Sequence, residues 1–62
     1  MPGSVVVRRF ATEEQARVAQ TLLEGGGVRS QIVPDPSTSW FRLEVRAADA
    51  EDAIDILGAG DG

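Results

Sequence analysis

An α+β fold of element order β-α-β-β-α is predicted from three features of the chain. Two stretches carry apolar residues at helical spacing, each behind a good helix-capping residue. Three shorter runs are β-branched or strictly alternating, as half-buried strands are. Clusters of glycine and proline punctuate the intervals between them.

The first strand is expected over residues 5–10, where Val5, Val6 and Val7 precede Arg8, Arg9 and Phe10. A helix follows over 13–24. Thr12 is its N-cap and Gln15 completes a capping box, while Glu13 and Glu14 suit the positive end of the helix dipole. Ala16, Ala19, Leu22 and Leu23 make its apolar stripe, with Val18 at the margin. Gly25, Gly26 and Gly27 stop it, because glycine takes the left-handed C′ position without a steric cost.

The second strand is expected over 28–33, with Val28, Ser30 and Ile32 on one face and Arg29 and Gln31 on the other. Pro34 and Pro36 lack a backbone donor, so residues 34–39 form a loop. The third strand, 40–46, alternates most cleanly: Phe41, Leu43 and Val45 against Trp40, Arg42, Glu44 and Arg46. A second helix is predicted over 50–57, capped by Asp49, with Ala50, Ala53, Ile54 and Leu57 as its stripe. Gly58 is expected to end it, leaving a flexible tail over 58–62.

A right-handed β-α-β crossover with a hairpin strand between its parallel strands gives the sheet order 1-3-2. Both helices then cover one face of a three-stranded antiparallel sheet. This is the ferredoxin-like plan without its last strand, and all 62 residues form a single domain.

A chain of this length buries only about 60% of its unfolded surface, so its core is small and extra burial is usually found elsewhere. There is no cysteine or histidine, which excludes disulfides and thiolate or imidazole metal sites. Self-association or docking on a partner is the remaining route. Neither an export segment nor an apolar run near the ~20 residues of a membrane span is visible, so a cytoplasmic protein with no membrane partner is expected. The net charge of −4 disfavours nucleic acid as the partner. All basic residues are arginines, which GC-rich bacterial coding explains as readily as anion binding.

Two surfaces stand out. In the truncated plan strand one is an edge, and Val5, Val6 and Val7 carry no lysine or proline to discourage pairing. Either this edge pairs with a second copy to give a homodimer, or it is short, twisted and tolerated. The second surface is the open sheet face, expected to present Arg8, Arg29, Gln31, Trp40, Arg42 and Arg46, with Val6 and Glu44. It is either a binding platform anchored by Trp40 or a solvated face with weak ion pairs. Trp40 itself is either a contact residue or a plug over the 34–39 loop.

Catalysis is not expected. No histidine or lysine stands ready as a base for a nucleophile, and the paired carboxylates fall on solvated helix faces. The glycine run follows a helix C-terminus, where the dipole repels anions, so it is no phosphate loop. No residue pattern calls for a cofactor or a metal.

The segments FATEEQARVAQTLLEGGGV and WFRLEVRAADAEDAIDIL resemble the prokaryotic signal-transducing protein family, small bacterial domains of unknown function. The matching motifs lie at Ala19 to Gly26 and at Asp49 to Leu57. That resemblance implies a ferredoxin-like fold and a regulatory or ligand-binding role, with no catalytic residue. A second resemblance is to the sporulation-related repeat domain, through Phe10 and Ala16 at that family's spacing. It implies glycan binding on the sheet. Together these readings give a non-catalytic binding or regulatory module. Its expected partners are a second copy, another protein or a small molecule near the 34–39 loop. The alternatives are nucleic-acid or glycan binding on the sheet, or a structural subunit that completes a larger sheet.

Overall fold

The computed structural model describes residues 3–61, and for residues 59–61 the backbone. The elements are β1 (Ser4–Phe10), α1 (Glu13–Gly25), β2 (Ser30–Pro34), β3 (Phe41–Arg46) and α2 (Ala50–Asp61), with a 3-10 turn at Ala47–Asp49 leading into α2. The three strands form one sheet in the order β1-β3-β2, with β3 antiparallel to both neighbours. This is the α+β, ferredoxin-like arrangement that the pattern predicts.

Each boundary has a local cause. The Thr12 hydroxyl accepts the Gln15 N–H at 3.2 Å and starts α1. At its other end the Val28 N–H donates to the Leu23 carbonyl at 2.8 Å and the Gly27 N–H to that of Glu24 at 3.0 Å. With Gly27 at φ 85°, this is the Schellman arrangement that satisfies the last carbonyls. Gly26 has a different role: a Cβ there would meet the end of the Ile56 side chain of α2, which would have to shift.

Both helices pack on the face bearing Leu43 and Val45. The core joins Ala19 and Leu23 of α1, Val28, Leu43 and Val45, and Ala53 and Leu57 of α2. Val7, Phe10, Ile32, Ala50 and Ile56 pack around it, and no polar or charged residue is buried among the described residues.

Several boundaries and faces differ from the sequence reading. The second strand begins at Ser30, because Val28 is used to close the α1 cap and drops into the core beside Leu23. Trp40 lies just outside β3. Asp49 sits inside the 3-10 turn instead of capping α2. The second helix continues through Gly58 to Asp61, because glycine permits a left-handed stop without compelling one. Of the expected flexible tail, only Gly62 lies outside the described residues. Ile54 is 56% exposed, and Ile56 packs against the core where Ile54 was expected to.

Candidate functional site

The face of the sheet away from the helices is built from the strand register. In β3 the side chains of Leu43 and Val45 are buried, so Arg42, Glu44 and Arg46 leave the sheet on the opposite side. Across β2, Gln31 pairs with Glu44 and Val33 with Arg42, which places both on the open face. Val33 is thus an apolar member of that face that the alternation reading did not assign.

Across β1, Val5 pairs with Val45 and Val6 with Glu44, so Val6 faces outward as expected. The register then shifts. Arg8 pairs with Leu43, Arg9 with Arg42 and Phe10 with Phe41, leaving Val7 as the extra residue of a β-bulge. A bulge of one residue inverts the alternation beyond it. Arg8 is therefore not on the open face. It lines a hollow with Val7, Ile54, Leu57 and Gly58, and its guanidinium stands 5.9 Å from the Phe10 ring centre. Arg9 takes the place that the sequence reading assigned to Arg8. The cause is core packing: Val7 turns inward against the apolar cluster, and the chain accommodates it with an extra residue. No pattern of letters announces such a bulge.

Trp40 enters this face through a fixed loop. Its carbonyl accepts the Asp35 N–H at 2.8 Å, and its own N–H donates to the Thr38 hydroxyl at 3.3 Å. Ser39 before it holds φ 66°, a left-handed conformation that costs a non-glycine residue on the order of 1 kcal/mol. The indole remains 47% exposed. It lines a shallow hollow of about 360 Å³ together with Arg9, Asp35 and Thr38.

Asp35 is tied down in the same loop. One carboxylate oxygen accepts from the Ser37 N–H at 3.0 Å and from the Ser37 hydroxyl at 2.8 Å. Those two bonds, with smaller help from Thr38 and from the positive charge of Arg42, hold its carboxyl below the ordinary 3.8 against a small opposing desolvation. It is ionised at neutral pH.

At the opposite end of the face, a hollow of about 450 Å³ is lined by Ser4, Arg29, Gln31, Glu44 and Arg46, among others. The structure therefore brings Trp40, Asp35 and Arg9 to one corner, with Arg42 opposite Arg9 in the register, and Arg29, Gln31 and Arg46 to the other. Between them Arg42 Nε points at Glu44 Oε2 across 3.9 Å, too far for a hydrogen bond, and that nitrogen is buried without a partner. Arg9, Arg29 and Arg46 form no ion pair among the described residues.

The acidic side chains of Glu13, Glu14, Glu24, Glu51, Asp52 and Asp55 are all exposed on the helices. A net-negative chain thus presents its arginines mainly on and around the sheet. Among the described residues there is no group of histidine, cysteine and carboxylate side chains that could hold a metal ion. No helix among them is long and apolar enough to cross a membrane.

No family model matches the chain, and no curated protein or solved structure matches it either. The two resemblances noted above therefore rest on their motifs alone.

Proposed function

We propose that the chain is a non-catalytic binding module whose working surface is the open face of the sheet. The observation that carries this reading is the Trp40 corner. A single tryptophan, 47% exposed, is carried on backbone fixed by hydrogen bonds on both sides and lines a hollow beside Arg9, whose partner across the strands is Arg42. A solvated face needs no such arrangement. An exposed aromatic next to arginine is the composition of a binding hot spot. Small-molecule or protein partners suit a face of this size. Nucleic acid suits it less well, since base stacking uses two or more aromatics and Glu44 divides the arginines. A glycan on the same face remains the alternative that the sporulation-domain resemblance implies. Localisation in the cytoplasm accords with a cysteine-free composition.

The test is amide chemical-shift mapping of the isotope-labelled chain against a chemically varied set of small molecules and peptides. Saturable shifts are expected on β1, β3 and the 34–39 loop. Binding confined to the outer faces of α1 and α2 would overturn the reading.

A second reading has its own observation. The outer side of β1 is unpaired in the three-stranded sheet, and Val5, Val6 and Ile54 beside it are 37%, 38% and 56% exposed. Self-association along this edge would cover all three.

A further inference from the structure

We infer that the corner formed by Arg9, Arg42 and Trp40 is a site for a small organic carboxylate attached to a flat apolar group. The inference rests on the open face being the binding surface, and it names the ligand class for one end of that face.

Three features converge on it. The first is a like-charge pair. Arg9 and Arg42 are direct partners in the β1–β3 register and project from the same side of the sheet. Like charges placed opposite one another across strands repel, and a shared anion removes that repulsion. The guanidinium fork also matches a carboxylate in a bidentate manner.

The second feature is that, among the described residues, no carboxylate is hydrogen-bonded to either arginine. Glu44 stays 3.9 Å from Arg42 Nε, and Arg9 has no ion-pair partner among the described residues. Asp35, whose carboxyl also feels the positive charge of Arg42, spends one carboxylate oxygen on the N–H and hydroxyl of Ser37 and makes no hydrogen bond to an arginine. Its negative charge on the wall of the hollow disfavours a dianionic head group, so a carboxylate fits better than a phosphate monoester.

The third feature is the apolar wall. The Trp40 backbone is fixed by hydrogen bonds to Asp35 and Thr38, which places its half-exposed side chain on the wall of the hollow. The hollow of about 360 Å³ lies within the range of small-ligand pockets and offers a ring face beside a cation.

Trp40 is the sole tryptophan, so its fluorescence reports from the site itself. The whole chain is titrated with phenylacetate, with its neutral isostere phenylacetamide and with phenyl phosphate, and amide shifts are mapped in parallel. Phenylacetate is expected to saturate the signal at least ten times more tightly than phenylacetamide, with phenyl phosphate weaker than phenylacetate. Shifts should centre on Arg9, Trp40 and Arg42. R9Q and R42Q, checked for folding by circular dichroism, should each weaken phenylacetate about tenfold. Equal binding of the acid and the amide, no saturation with phenylacetate, tighter binding of the phosphate, or unchanged affinity in R9Q would overturn the inference. Shifts centred instead on Arg29, Gln31 and Arg46 would overturn this site while leaving the open face as the binding surface. Shifts restricted to the helices would overturn both.

Discussion

Leu22 and Leu23 are consecutive residues of α1, yet Leu23 is fully buried while Leu22 stays 46% exposed. Both belong to the apolar stripe that helical spacing defines, and spacing alone does not separate them. What separates them is the width of the surface each helix covers in a two-layer fold, which is narrower than the stripe. Truncation should make the difference measurable. Leu23→Ala is expected to cost about 2–5 kcal/mol through lost burial and a cavity, and Leu22→Ala less than about 1 kcal/mol. Urea denaturation followed by circular dichroism measures both. Equal losses at the two positions would contradict the packing described. With eight buried apolar residues among those described, the larger loss is a large share of the total stability.

Among the elements, β1 departs most from a simple pattern. The bulge at Val7 keeps three consecutive valines from alternating strictly and exchanges the roles of the two arginines that follow. It also bends an exposed edge, which is one way a sheet limits unwanted pairing. The exchange predicts that the two arginines respond differently to substitution. Arg8→Ala should destabilise the fold, because Arg8 stands over Phe10 and lines the hollow beside Ile54 and Leu57. Arg9→Thr should be neutral or stabilising by up to about 1 kcal/mol, since it removes a like charge opposite Arg42 and adds a β-branched residue. Thermal melts of the two variants decide the matter, and the reverse order of effects would place the bulge elsewhere.

Across the whole molecule, charge and apolar surface are unevenly spread. The exposed acids of the helices oppose the arginines around the sheet, and the largest exposed apolar side chains include Val5, Val6 and Ile54 along one edge. If that edge pairs with a second copy, sedimentation velocity should show a concentration-dependent dimer. Val6→Lys should shift it to monomer, with Ile54→Asp as an independent check from α2. A wild-type chain that remains monomeric throughout a high concentration series would remove the self-association reading. It would leave the open-face reading untouched, because that face rests mainly on β3, β2 and the 34–39 loop and takes only Val6 and Arg9 from β1.

The order of elements, the strand order β1-β3-β2, the Thr12 cap and the glycine stop after α1 were all legible in the letters. Each depends on short-range chemistry: alternation, capping hydrogen bonds and the conformational freedom of glycine. So were Trp40, Arg42 and Arg46 as members of one face, since they lie on or next to a single regular strand. Three matters were decided by the tertiary structure alone. The bulge at Val7 sends Arg8 to the helices and brings Arg9 to Trp40. Ile56 and not Ile54 packs inward, where its side chain lies over Gly26. Val28 leaves the strand to seal the end of α1. All three arise where distant segments compete for the same small core, and that competition has no period along the chain by which it could be read.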